Sequence, residues 1–141
     1  MNRVYWDSML FIYLLEANPV FGERVKRLHA AMVRRGDTLC TSIFTVGEVL
    51  TGPRMRNDVA GISGLKKFFG SNEVEILPFA IEAADRYSMI RAETRVRQAD
   101  GIHLATAAAA GVDLFVTNDD KLQKLVISGI RFFADVDGKV I

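Results

Sequence analysis

Short β-prone runs alternate with helix-period segments from one end of this chain to the other. That alternation constrains its fold more than any other feature. Arg3–Trp6 reads as a first strand, followed at once by an apolar helix over Ser8–Leu15. Pro19 opens a second helix that reaches roughly Arg35 and closes at Gly36. Val20, Phe21, Val25, Leu28, Met32 and Val33 recur along it at helical spacing. Thr38–Thr41 reads as a second strand, residues 43–51 as a helix ended by Gly52-Pro53, and residues 58–69 as a further helix. Glu73–Pro78 alternates as a third strand. A long helix is expected over 79–96, and an alanine-rich one over 99–110 capped by Gly111. Asp113–Thr117 and Ile130–Phe133 complete the set as fourth and fifth strands. Strands separated by helices imply a mostly parallel sheet covered on both faces. The alanines at 105 and 107–110 allow their helix a close approach to its neighbours.

The chain's 141 residues, half of them apolar, correspond to one domain, 1–141, able to bury a core without a disulfide or metal. The single cysteine, Cys40, has no partner for an internal disulfide, which suits a reducing, cytoplasmic setting. No run of about 18 apolar residues is present, so no membrane span is expected. The segment Met1–Asp7 is not expected to serve as a signal peptide.

A net charge of +1 hides an uneven distribution. Arg24, Lys26, Arg27, Arg34 and Arg35 crowd one stretch against a single acid, Glu23. Arg54, Arg56, Lys66 and Lys67 form a second basic stretch, and Arg86, Arg91, Arg95 and Arg97 a third. Each cluster alone reads as a solvated helix face. Together, beside the separate acids Asp113, Asp119 and Asp120, they suit a polyanion.

In open parallel sheets, sites form beyond the carboxyl ends of the strands. The first strand ends at Asp7, and the second at Thr41-Ser42 with Glu48 on the helix that follows. The fourth ends at Thr117-Asn118-Asp119-Asp120, and the alanine-rich helix begins at Asp100. Each acid has a local reading: Asp7 and Asp100 as helix caps, Asp119 as an Asx-turn residue, Glu48 as an exposed helix position. Four such acids converging on one sheet edge is more than capping requires. Clustered carboxylates repel, and must take up protons or bind a cation. An all-oxygen set suits a hard ion, Mg²⁺ or Mn²⁺.

Other chemistries lack their residues. His29 lies mid-way along a basic helix, and His103, three residues after Asp100, reads as a packed or capping residue. There is no nucleophile elbow, phosphate-binding loop or dinucleotide fingerprint, and the Cys/His set for zinc is missing.

Four motifs in order resemble a known family: Val4-Tyr5-Trp6-Asp7-Ser8, Thr41–Gly52 around Glu48, Ala99–Ala107 around Asp100, and Leu114–Asp119. The family is the PIN domain. In its small single-domain form the chain is similar to VapC-type toxins of bacterial toxin–antitoxin pairs. The resemblance covers nearly the whole chain. It implies a three-layer α/β/α sandwich and a Mg²⁺-dependent endoribonuclease, with Mn²⁺ able to substitute. It also implies a homodimer and a small antitoxin partner whose tail occupies the active site.

On that reading Asp7, Glu48, Asp100 and Asp119 are the catalytic, metal-holding residues, with Asp119 rather than Asp120 selected by the Thr-x-Asp pattern. Ser8, Thr117 and Asp120 lie behind them and orient the ligands. Arg91, Arg95 and Arg97 hold the RNA backbone. Position 101 is glycine where alanine is common in the family. Two alternatives stand beside this reading: a non-catalytic module with an acidic pocket, and an aspartate-based phosphotransfer or phosphatase domain. The latter wants an aspartate two residues after the first, where this chain has Met9.

Overall fold

A computed structural model describes residues 2–140. Five strands form one parallel sheet in the order β3-β2-β1-β4-β5. They are β1 (Arg3–Trp6), β2 (Thr38–Ser42), β3 (Glu75–Leu77), β4 (Leu114–Val116) and β5 (Phe132–Ala134). The helices are α1 (Ser8–Leu15), α2 (Gly22–Arg35), α3 (Ile43–Met55), α4 (Val59–Phe69), α5 (Ile81–Glu93), α6 (Gln98–Ala110) and the short α7 (Asp120–Gln123).

The two-residue period of β1 divides the interior into two cores. Val4 and Trp6 face a layer containing Leu10 and Phe11 of α1, Val25, Leu28 and Met32 of α2, and Leu65 and Phe69 of α4. Tyr5 faces the opposite layer with Ile90 of α5 and Leu104, Ala105, Ala107 and Ala108 of α6. This is the α/β/α sandwich expected. The alanines of α6 are buried as anticipated, and α6 ends at Gly111 in the left-handed conformation. The apolar surface of α1 is spent largely within the fold; of its large side chains Met9 and Leu15 remain exposed.

Several boundaries differ from those read in the sequence. Helix α2 begins at Gly22, not Pro19; Asn18 accepts the Val20 and Phe21 amides on its side chain, and residues 19–21 form a turn that leads into the helix. Helix α3 does not stop at Gly52-Pro53 but runs to Met55. Gly52, lacking a Cβ, removes part of the clash that a proline makes with the residue before it, and Pro53 falls in the last turn, where the helix ends two residues later. Helix α5 covers only Ile81–Glu93. The Thr94 hydroxyl bonds back to the Ile90 carbonyl, and the chain then extends through Arg95, Val96 and Arg97. Strand β3 is shorter than read, β5 lies two residues later, and α7 is too short to show a period.

β1 leads outward to β2 and β3 on one side, and β4 and β5 lie on the other. The strand order therefore reverses between β1 and β4. Such a switch point leaves a crevice beyond the carboxyl ends of the two strands.

Candidate active site

The crevice is where the sequence motifs meet. β1 runs out at Asp7 and β4 at Thr117, and the Thr117 hydroxyl donates across the gap to Asp7 Oδ2 at 2.5 Å. Asp7 Oδ1 accepts the Met9 amide and so caps α1. Asp119 caps α7, its Oδ1 accepting the Lys121 and Leu122 amides. Asp7 is thus the helix cap, and Asp119 the Asx-turn residue, that the sequence implies; Asp119 caps α7 besides, and both line the same cavity. Asp100 is not a cap. Arg97 holds that position, and Asp100 lies in the first turn of α6.

The cavity measures about 650 Å³, and Asp7, Glu48, Asp100, Asp119 and Asp120 all line it. Ser8 lines it too, whereas Thr117 is fully buried behind Asp7 and also accepts the Asp119 amide. Asp120 is exposed. Of the three arginines expected to hold substrate, Arg97 reaches this cavity, and Arg95 lines an adjoining groove that shares Arg97, Asp100, Asp119 and Lys121 with it. Arg91 lines neither. Its guanidinium bonds the Tyr87 hydroxyl at 2.8 Å and lies over the Tyr87 ring. This packing also accounts for glycine at 101: a Cβ there would stand 3.0 Å from Tyr87 Cε2 and 3.2 Å from Arg91 Cδ.

Each of the carboxylates of Asp7, Glu48, Asp100 and Asp119 has a protein partner. Asp100 pairs with Arg97 at 3.2 Å, and Glu48 Oε1 lies 2.6 Å from His103 Nε2. Among the described residues, no three His, Cys, Asp or Glu side chains stand together as a ready metal-holding group. The acids share one cavity but not one ligating point, because each is turned toward its own partner. Burial nevertheless pushes the Asp7 carboxyl above its ordinary value, and that desolvation outweighs the bonds from Thr117 and the Met9 and Leu10 amides. A desolvated carboxylate that shares its cavity with Glu48, Asp100 and Asp119 supplies all-oxygen donors, the chemistry a hard divalent cation fits.

Sequence reasoning missed the part His103 and Lys121 play in this wall. His103 is packed, as read, but it is also bonded at both nitrogens: Nδ1 lies 2.6 Å from the Tyr5 hydroxyl and Nε2 faces Glu48. Burial also raises the Tyr5 hydroxyl well above its ordinary range and keeps it protonated. The available signal was spacing: His103 follows Asp100 by three residues and so shares its helix face.

A parallel sheet with an acidic crevice at its switch point defines a PIN-like α/β protein, and the sequence agrees. The PIN domain family model matches residues 4–127, and the chain belongs to that family. No curated protein matches it in sequence. Its fold is similar to that of a chain in VapBC2 from Rickettsia felis bound to a promoter DNA fragment. That match has 16% identity, covers 94% of this chain and 98% of the other, and has a TM-score of 0.73. It is also similar to a chain of DNA-bound VapBC from Salmonella typhimurium, with 23% identity, 96% and 99% coverage and a TM-score of 0.71. A chain of the toxin–antitoxin system VapBC-5 from Mycobacterium tuberculosis matches at 18% identity, with 92% and 96% coverage and a TM-score of 0.61.

Proposed function

We propose that this chain is a VapC-type toxin, a Mg²⁺-dependent endoribonuclease whose acids are Asp7, Glu48, Asp100 and Asp119. One observation carries the reading: four carboxylates from four separate segments line a single cavity at the switch point of a parallel sheet. Asp7, Glu48, Asp100 and Asp119 would hold a divalent cation there, and the ion would supply activation of water near neutral pH and charge compensation at the phosphate. The protein's own contributions are distinct. Thr117 orients Asp7 across the crevice, and Ser8 borders it. Arg97 and Lys121 stand on its rim, with Arg95 in the adjoining groove, and offer the RNA backbone cationic partners. Arg97 is 81% exposed and free to swing from Asp100 to a phosphate.

No histidine pair faces the cavity in the manner of an enzyme that attacks through the ribose 2′-hydroxyl. Direct attack of water on phosphorus leaves 5′-phosphate and 3′-hydroxyl ends. End-group analysis of a cleaved single-stranded oligoribonucleotide, with Mg²⁺ and with EDTA, tests the reading. Cyclic phosphate ends, or cutting that persists in EDTA, would refute it.

An antitoxin partner is part of the same proposal. The toxin–antitoxin assemblies among the similar folds support it. So does a groove beside the acids, where Ile12, Leu15, Val49, Pro53 and Leu65 lie with the charged Glu16, Arg56 and Asp58 and which shares Glu48 with the main cavity. A partner segment seated there reaches the acids directly. A homodimer completes the proposal, and sedimentation at micromolar concentration checks it. Among the described residues no helix is long and apolar enough to cross a membrane.

A further inference from the structure

The acids alone leave the orientation of Glu48 unexplained. It projects from α3 with a partly exposed side chain that has several free torsions. One group restrains it. His103 of α6 is 4% exposed and meets Glu48 Oε1 at 2.6 Å through Nε2. A carboxylate only accepts hydrogen bonds, so Nε2 carries the proton. On the other side of the ring, Nδ1 lies 2.6 Å from the hydroxyl of Tyr5, a β1 residue with no exposed surface. The rings of Tyr5 and Phe44 pack edge-on against the imidazole at 5.9 and 5.5 Å. The imidazole is thus fixed by the sheet below, by α3 beside it and by its own helix.

We propose that His103 is a positioning residue for Glu48. It holds one carboxylate oxygen on Nε2–H, leaves the other for a divalent cation, and is itself oriented by Tyr5. The inference rests on the divalent-metal reading of the site. In metal sites, groups that orient a ligand are typically worth ten- to a hundredfold in metal affinity.

The test titrates Mn²⁺ alone into the full chain by calorimetry and measures RNA cleavage in parallel. The variants are His103→Gln, whose amide N–H replaces Nε2–H, and His103→Leu, which fills the space without a donor. We expect His103→Leu to weaken Mn²⁺ binding about tenfold or more. It should lower kcat while leaving KM nearly unchanged, and His103→Gln should restore most of both. A folded His103→Leu that binds Mn²⁺ as the wild type does overturns the proposal, and so does a His103→Gln as impaired as His103→Leu. Should His103→Leu not fold, Tyr5→Phe decides. The ring then stays but loses its Nδ1 partner; a several-fold weaker Mn²⁺ affinity supports the proposal and an unchanged one overturns it. A wild type that binds Mn²⁺ but cuts no RNA refutes the ribonuclease reading alone. One that binds no Mn²⁺ refutes both.

Discussion

Asp7→Asn separates what the acidic crevice costs from what it gains. Asp7 is 9% exposed, and burial raises its carboxyl despite the bonds it accepts. The folded protein therefore holds this proton to higher pH than the unfolded chain does. Stability from this group is greatest below the ordinary aspartate range. It falls as pH rises through the raised folded value, and at neutral pH the ionised group is a net cost. Asparagine keeps the α1 cap, since Asn and Asp cap about equally well, and it removes the buried charge. In EDTA at pH 7, Asp7→Asn should therefore melt above the wild type and lose the pH dependence that Asp7 supplies.

Mg²⁺ reverses that order. A ligand binding only the native state at ten times its Kd stabilises by about 1.4 kcal/mol. At about 2.1 cal/mol/K per residue, 141 residues give an unfolding entropy of about 0.3 kcal/mol/K, so the wild-type Tm rises by about 5 °C. Asp7→Asn should gain about 1 °C or less at the same Mg²⁺ concentration. Differential scanning fluorimetry with and without Mg²⁺ reads both effects. A variant that melts lower than the wild type in EDTA would refute the buried-charge cost, and one that keeps the full Mg²⁺ shift would refute a part for Asp7 in holding the ion.

Arg97→Ala and Lys121→Ala should each weaken RNA binding and flatten its logarithmic salt dependence by about 0.7, while Arg91→Ala, tied to Tyr87 away from the cavity, should leave the slope unchanged; filter binding across a salt series measures all three. Gly101→Ala gains about 1 kcal/mol of helix propensity but forces a methyl against Tyr87, an overpacking that typically costs about 1–3 kcal/mol, so a net loss near 1 kcal/mol in denaturant melts is expected, relieved in a Tyr87→Ala background. Cys40 is buried and its thiol is pushed up to about 12, so a thiol reagent at pH 8 should label it only after unfolding.

The sheet was legible because its strands are bounded by helices whose apolar periods point inward from both sides. That is a property of each segment alone. The boundaries that shifted depend on contacts the segment does not contain or on a single local exception. A turn over residues 19–21 precedes α2, α3 runs past Gly52-Pro53 to Met55, and Thr94 turns back on Ile90. Strand order is likewise absent from the local pattern, and with it the switch point between β1 and β4.

For the site, the acids were legible as residues at strand and helix ends, but their partners were not. Thr117 lies 110 positions from Asp7 and His103 lies 55 from Glu48, and only the sheet order brings each pair together. Capping and site formation were alternatives in the sequence, and the structure removes the opposition. A residue that leaves a strand and caps the next helix has its carboxylate held at the strand's end by that helix's first amides. Asp7 and Asp119 are both placed this way, by Met9 and by Lys121. The cap is how a parallel sheet aims an acid into its own crevice. It follows that replacing either acid by serine, a competent cap with a shorter arm and no charge, should preserve α1 or α7 while abolishing the Mg²⁺ shift. Circular dichroism and fluorimetry on the same two variants separate those outcomes, and a retained Mg²⁺ shift in both would mean the caps serve the fold alone.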